Sequence, residues 1–467
     1  MNKYTKLLKN TSIMGVGAFL SKVLVFLLLP LYSSVMSTAD YGVADIVAQS
    51  SNLLMPIITL GICAAVFRFA CDKKADHEAI FTVGFILLLF SMVLFSALIP
   101  LFKKVYVLDE YLLLFALYVF MFGLHTLCGQ YLRGVDKVKE FAVKGVLCTF
   151  FTLIFNILLL LVFPLGIVGY LVANILADFF TVIYMFRVGN LIDAFKPKKF
   201  SFGLLFEMLK YSLPLVPTTV CWWITNMSDR YIVLYMIDES ASGIYSMSYK
   251  IPNIVTMITG IFADAWQMSL IDESNQGSVS KFLTKIFESY KAVLFIVGSG
   301  IILFVKVITG ILIRNDFYIA WRYTTLLVVA TICMSMVNFI SVIFHVKKKS
   351  INSLICASCG ACVNMVGNIL LIKVYGAVGA AVATVISYVV VYVIATNLSL
   401  KYVKYKVFFT KTMVNIGLLT VQSIIMMFVP GVAAYIVSTI IFIAVVILNI
   451  PVFLYSAKSI LKEKNKN

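Results

Sequence analysis

The sequence predicts an all-α integral membrane protein of about fourteen spanning helices. Two six-helix lobes read as parallel repeats, followed by two C-terminal helices. Three observations point there. Apolar runs of about 20 residues, the length a helix needs to cross the hydrocarbon core, follow one another along the whole chain. Only 13% of residues are charged against 62% hydrophobic, with a mean hydropathy of +1.01, so there is no polar face for most helices. Finally, the charges gather in the short breaks, mostly on alternate ones.

Spans are expected near 12–35, 42–70, 79–102, 108–132, 141–163, 167–187, 208–237, 243–270, 282–308, 318–344, 350–373, 376–398, 408–429 and 431–456. The alternation of an outer-membrane barrel is not present. Lys3, Lys6 and Lys9 precede an apolar run that continues to Val35 without a small-residue cleavage site, which reads as a retained first helix. Placing successive breaks on opposite sides gives 28 of the 38 Lys and Arg to the side that holds both termini, six to the other side and four to the spans. That bias predicts cytoplasmic termini in a bacterial cytoplasmic membrane. It also accounts for the net charge of +17, as topology determinants that touch anionic lipid headgroups rather than a nucleic-acid platform. The expected organisation is an N-terminal lobe at 1–187, a basic cytoplasmic linker at 188–207, a C-terminal lobe at 208–400, and helices 13–14 with a basic tail at 401–467.

Catalysis finds little support. No Gly-rich phosphate loop leads into Lys and Ser/Thr, and no Ser-centred nucleophile elbow occurs. The breaks are too short to bury a soluble core, and no cofactor is implied. His77, His125 and His345 show no metal spacing, and His125 is expected to be a hydrogen-bonded helix contact. Cys356, Cys359 and Cys362 drift around their helix among small residues, which favours packing over a metal cage. No metal site is expected.

The chain also repeats. Asn156-Ile-Leu-Leu, Pro164-Leu-Gly166-Ile-Val-Gly169 and Val172-Ala173 match Asn368-Ile-Leu-Leu, Tyr375-Gly376-Ala-Val-Gly379 and Val382-Ala383, with offsets of 212 before the loop and 210 after it. Upstream, Leu8-Lys9 and Gly42-Val43 match Leu209-Lys210 and Gly243-Ile244. Helices 1–6 thus echo helices 7–12. An even number of helices per repeat keeps their orientation, the parallel-repeat design with a site expected near the midplane.

Several stretches resemble a known family. Lys6-Leu-Leu-Lys-Asn-Thr-Ser, Pro30-Leu-Tyr through Thr38-Ala-Asp-Tyr-Gly42, and Ala65-Val-Phe-Arg68-Phe look like the N-terminal half of the polysaccharide-export, Wzx-like flippases. Asp229-Arg-Tyr-Ile-Val-Leu and Gly243-Ile-Tyr-Ser-Met-Ser-Tyr-Lys250-Ile are similar to that family's seventh and eighth helices. The same superfamily holds the lipid II flippases and the multidrug and toxin extrusion proteins. What the resemblance implies is a transporter rather than an enzyme. Its cargo would be an undecaprenyl-diphosphate-linked oligosaccharide, moved between leaflets by alternating access for surface polysaccharide biosynthesis. Polysaccharide polymerase and glycosyltransferases would be its partners.

Such a cargo cannot leave its diphosphate unsatisfied in hydrocarbon. The charges within spans are Lys22, Asp45, Asp178, Asp229, Arg230, Lys250, Asp264, Glu288 and Lys291, and intramembrane charges face a bundle interior. Lys22 lies about 15 Å into the first helix; Asp229, Arg230 and Lys250 lie about 10 Å below the outer face. Lys22 and Arg230 are expected to contact the diphosphate, with Asp229 and Lys250 paired across the hairpin to hold the geometry. Asp45, Asp178 and Asp264 are expected as coupling or supporting carboxylates. Arg68, Arg133 and Lys144 are expected at the cytoplasmic entrance. Glu288 and Lys291, three apart, are expected to pair. Asn156, Asn174, Asn226, Asn338, Asn364, Asn368 and Gln130 offer sugar contacts or interhelical bonds. Pro56, Pro214, Pro217 and Pro252 are expected to kink their helices. Two competitors share the superfamily: a cation-coupled multidrug antiporter, which Lys22 opposes and Asp178 favours, and a lipid II-type flippase. A membrane-embedded glycan-assembly enzyme is the competitor from another class.

Overall fold

The computed structural model describes residues 26, 28–72, 74–104, 106–260, 262, 279–347 and 349–464. Lys22 and Asp264, most of the first expected span and the end of the eighth (261 and 263–270) lie outside these residues. The described residues form helices and connecting turns, with no strand among them. Ten of these helices are long and apolar enough to cross a membrane, or eleven if one bent pair is a single span.

The chain divides into two compact units, Met1–Trp223 and Ile224–Asn467. The first holds α1 (28–35), α2 (Thr38–Ile58), α3 (Ile62–Ala70), α4 (His77–Leu98), α5 (Leu112–Gly134), α6 (Val138–Asn156), α7 (Gly166–Gly189) and α8 (Phe202–Ser212). The boundary falls inside α9 (Leu215–Met236). The second unit continues with α10 (Glu239–Ser248), α11 (252–260), α12 (Val279–Leu312), α13 (Trp321–Val346), α14 (Ser350–Tyr375), α15 (Ala377–Ser399), α16 (Phe409–Phe428) and α17 (Gly431–Lys464).

Three expected spans are broken, and each break has a local cause. The second bends by 64° between α2 and α3. Leu60 and Gly61 both adopt positive φ there, 52° and 70°, which ends a right-handed helix. The Ser212 hydroxyl donates to the Leu60 carbonyl at 2.8 Å and so satisfies a group the bend releases. The seventh expected span separates into α8 and α9 at Leu213–Pro214, because Pro214 brings no amide hydrogen. The eighth stops at Tyr249–Ile251 and restarts at Pro252, a first-turn position that suits proline.

The two hairpins that carry the sequence repeat share one backbone device. Gly166 and Gly376 adopt φ of 56° and 58° between α6 and α7 and between α14 and α15. Three residues on, Gly169 and Gly379 each lie against a carbonyl of the preceding helix. An added Cβ would sit 2.6 Å from Leu159 O in one and 2.2 Å from Leu371 O in the other. Those leucines are themselves 212 apart. The first hairpin is two residues longer, and a π-helical turn at Ile157–Val162 takes up part of the excess.

Packing follows membrane rules rather than aqueous ones. In the second unit α14 packs on α15, whose buried face includes Ala380, Ala381 and Ala383; a Cβ on Gly367 would stand 3.0 Å from Ala383 Cβ. Small residues allow this approach. In the most apolar stretch of Asn315–Phe344, 83% of the residues are buried, against 11% in that of Val138–Val162, which presents its apolar surface outward. Gln422 ties the last two helices to α12. It accepts from Ser299 Oγ at 2.7 Å and donates to Ser438 Oγ at 2.9 Å.

The basic segment after α7 is fastened to the start of α4. The Lys196 amide donates to Thr82 Oγ1 at 2.9 Å, and Lys199 Nζ lies 2.8 Å from Asp76 Oδ2 and 2.9 Å from Glu78 Oε2. Asp76 also caps α4 by accepting from the Ala79 amide at 3.2 Å. The Lys199 ammonium, and after it the helix amide, hold the Asp76 carboxyl below its usual range. A lowered folded-state value means that this contribution is complete above the ordinary aspartate pKa of about 3.9 and is lost as pH falls through the folded value. Asp76→Ala is therefore expected to lower stability by about 1 kcal/mol at neutral pH through loss of the cap. In thermal unfolding the deficit should shrink as pH falls below about 4.

Candidate functional site

α9 carries a run of polar residues in its middle, several of them buried. Thr225, Asn226, Ser228, Asp229 and Arg230 follow within six positions, and Asp229 and Arg230 are 0% and 3% exposed. Burying a carboxylate at that depth requires donors on every side. Asp229 Oδ1 accepts from the Arg230 amide at 2.9 Å. Its Oδ2 accepts from Tyr245 at 2.9 Å and from Tyr249, and the Thr384 hydroxyl lies 3.4 Å away. Tyr245 and Tyr249 are one helical turn apart, so both rings face α9. The Arg230 guanidinium lies 4.7 Å from the centroid of the Tyr249 ring, a cation–π contact on the phenol whose hydroxyl holds Asp229. Ser242 donates to the Arg230 carbonyl at 3.0 Å.

The cluster extends into α14 and α15. Asn364 Oδ1 accepts from Ser228 at 3.1 Å and from Asn368 at 2.8 Å, while its amide donates to Thr384 at 3.3 Å. Tyr388 donates to Asn226 Oδ1 at 2.5 Å. The carboxylate, amide and hydroxyl oxygens are hard ligands of the sort that suit alkali or alkaline-earth ions rather than transition metals, and here they satisfy one another. Chemically this is a preorganised cluster of one carboxylate, one guanidinium, amides and hydroxyls, without a nucleophile and base set to break a bond.

The expected Asp229–Lys250 pair is replaced. Lys250 lies in the turn after α10, half-buried, while two tyrosines of the same segment reach Asp229 first. The structure brings Arg230 and Asp229 together around Tyr249. Asp45, 1% exposed, sits in the first unit, where Gln49 Nε2 approaches it at 3.4 Å. Asp178 accepts from His125 Nδ1 at 2.7 Å, the helix contact expected of that histidine. Arg68 and Arg133 are exposed near the end of α3, and Arg133 stacks 4.5 Å from the Phe67 ring centroid. Lys144 departs from that entrance group. It is partly buried, with its Nζ 3.0 Å from where a Cβ on Gly129 would lie. The absent side chain at Gly129 is what lets the lysine fold inward. Tyr245, Tyr249, Thr384 and Tyr388 were not singled out by sequence; the i, i+4 spacing of the first two was the available signal.

Lys291 Nζ lies 2.5 Å from Glu288 Oε1, and it donates to Thr412 at 3.0 Å. The ion pair is buried and local, as the three-residue spacing allows. Replacing both with Gln and Met is expected to change stability by no more than about 1–2 kcal/mol and leave transport intact. Single replacement of either strands a buried charge at a cost of about 3–5 kcal/mol. Unfolding midpoints of the three variants test this.

The sequence model of the polysaccharide biosynthesis protein family matches residues 7–271. Among solved structures, the chain is similar to a lipid II flippase, MurJ, in an inward closed conformation. The TM-score is 0.67 at 15% identity, covering 96% of this chain and 99% of that one. It is similar to a MOP superfamily transporter from Pyrococcus furiosus with a TM-score of 0.62 at 14% identity, covering 88% of this chain and 96% of that one. It also resembles a multidrug resistance MATE family transporter in an outward-facing conformation, with a TM-score of 0.62 at 14% identity over 84% and 94% of the two chains. At such identities the likeness is one of fold. No curated protein matches the sequence. These relatives are transporters and not enzymes. The chain belongs to the polysaccharide biosynthesis protein family and has the multi-pass helical fold of MOP superfamily transporters.

Proposed function

We propose that the protein flips an undecaprenyl-diphosphate-linked oligosaccharide repeat unit from the inner to the outer leaflet of a bacterial cytoplasmic membrane by alternating access. The observation that carries this proposal is Arg230, a guanidinium 3% exposed within α9 of a polysaccharide biosynthesis family member. A cation in a bilayer-spanning unit is expensive, faces the bundle interior and marks a substrate pathway. Arg230 fits an anionic diphosphate and opposes a cationic drug. Asp229 and its tyrosines hold the guanidinium in place, the surrounding Asn and Thr groups suit sugar hydroxyls, and the prenyl chain stays in lipid.

The positive-inside bias supports cytoplasmic termini, with the lobes at 1–187 and 208–400 and a cytoplasmic linker at 188–207. Reporter fusions after Glu239 and Asp316 are expected to read external, and fusions at Lys198 and Lys348 internal; reversal at either pair contradicts the arrangement. Arg68 and Arg133 suit first capture of the diphosphate. Polymerase and glycosyltransferases would consume and supply the cargo.

A lipid II-type cargo is the second candidate, favoured by the match to the lipid II flippase over 96% of this chain. Deletion distinguishes these proposals. Loss of one surface polysaccharide, with its lipid-linked unit accumulating on the cytoplasmic leaflet, is the expected phenotype. Arrest of cell-wall synthesis favours the lipid II cargo. Intact surface glycans with new sensitivity to cationic dyes favour a drug antiporter.

A further inference from the structure

The first unit contains a second polar cluster that this transport role leaves unassigned. It draws one residue from each of three consecutive long helices: His125 on α5, Cys148 on α6 and Asp178 on α7. A ring nitrogen of His125, the Cys148 sulfur and a carboxylate oxygen of Asp178 all lie within 4.8 Å of one another. His125 Nδ1 stands 2.7 Å from Asp178 Oδ1, and the Cys148 thiol donates to the same oxygen at 3.6 Å. The other ring nitrogen, His125 Nε2, is buried with no hydrogen-bond partner.

We propose that His125, Cys148 and Asp178 form a binding site for a single borderline divalent transition ion of the zinc class. The donor set is decisive. Imidazole, thiolate and carboxylate together select zinc or its neighbours, whereas magnesium and calcium take oxygen alone. The spacing is close to what such an ion needs. With a sulfur arm of about 2.3 Å and an oxygen arm of about 2.0 Å, a tetrahedral S···O edge is roughly 3.5 Å. The observed Cys148–Asp178 separation is 3.6 Å. The His125–Asp178 edge, held short by a hydrogen, opens by about 0.6 Å to reach its tetrahedral length of roughly 3.3 Å.

Two geometries use the same three residues. Nδ1 ligates once its bond to Asp178 opens, or Asp178 keeps that bond and orients the ring while Nε2 ligates. The latter is the carboxylate–histidine–metal relation common in such sites.

Charge is consistent with either geometry. Lys144, one turn from Cys148 on α6, is the neighbouring cation, so lysine and Asp178 balance in the metal-free state. Binding of a dication releases the Cys148 proton to solvent and leaves the cluster with one net positive charge. Where Asp178 ligates, three protein ligands leave a fourth position for water or an anionic oxygen; where it orients the ring instead, His125 and Cys148 are the protein ligands and the remaining positions fall to water or an anion. Cys356, Cys359 and Cys362 provide no equivalent. Their exposure runs from buried to open along α14, and no histidine or carboxylate joins them in such a group among the described residues.

The test uses the full-length chain, purified in detergent and stripped of metal. Titration with cobalt(II) is expected to give one ion per chain, the visible absorption of a four-coordinate site and a thiolate charge-transfer band, displaced by zinc. Cys148→Ser should remove the band and weaken binding at least ten-fold, and His125→Ala should weaken it by a similar factor. Asp178→Asn, which keeps a hydrogen-bonding oxygen and so protects the fold, should weaken binding about 10- to 100-fold. Cys362→Ser should leave binding unchanged, and monodisperse elution establishes that each variant is folded. Absence of stoichiometric binding overturns the proposal, as does binding that survives in both Cys148→Ser and His125→Ala. The triad is then a hydrogen-bonded tie among three helices.

Discussion

Arg230→Ala is expected to reduce leaflet translocation by about 30- to 150-fold, the equivalent of losing one charge-assisted contact of about 2–3 kcal/mol. The amount of folded protein should hold. The Asp229 bonds to Tyr245, Tyr249 and the Arg230 amide do not use the guanidinium, so the carboxylate keeps those hydrogen-bond donors when the side chain is truncated. Arg230→Lys should restore transport only in part, because an ammonium has neither the planar fork for a diphosphate nor the flat face that stacks on Tyr249. Transport normalised to folded protein in the membrane is the measurement. Full activity in Arg230→Ala would remove the residue from the cargo path and transfer attention to Arg68 and Arg133.

Asp229→Ala has the opposite signature. It strands the hydroxyls of two buried tyrosines in one stroke, at a cost of about 2–6 kcal/mol, against a total stability of order 5–15 kcal/mol. Protein level and the unfolding midpoint should both fall sharply. Asp229→Asn keeps one oxygen for the tyrosines and should cost less, with transport lost before stability. If Asp229→Ala were as stable as the parent, the carboxylate would not be the anchor of this cluster.

Hydropathy made the membrane class and most of the spans legible, because length and apolarity alone determine what can cross a bilayer. The breaks were harder. Pro214 and Pro252 marked two of them, but the bend at Leu60–Gly61 depends on a non-glycine residue forced to positive φ and on Ser212, 152 positions away, bonding its carbonyl. The repeat was legible because Gly166 and Gly376 take positive φ, which glycine adopts most readily, and Gly169 and Gly379 lie too close to a carbonyl for any side chain.

Site chemistry was legible by residue type and not by partner. Arg230 and Asp229 are marked by charge in an apolar run. That Tyr245 and Tyr249 would reach Asp229 ahead of Lys250 depends on where the chain turns after α10. Glu288 and Lys291 could be paired because their contact is local. His125, Cys148 and Asp178 are separated by 23 and 30 positions on different helices, so no spacing rule joins them. Lys144 was placed at the surface by its loop; Gly129 on the adjoining helix leaves the space that draws it inward.

The central claim is that this chain moves a diphosphate-linked glycan between leaflets. The direct measurement is translocation of a defined undecaprenyl-diphosphate oligosaccharide in liposomes containing only the purified protein, scored by access of a membrane-impermeant glycan-modifying enzyme. Transfer that requires the protein, fails with Arg230→Ala and discriminates against cationic dyes is the predicted result. Proteoliposomes that hold folded protein and extrude cationic dyes, yet leave every lipid-linked glycan in its starting leaflet, would contradict it.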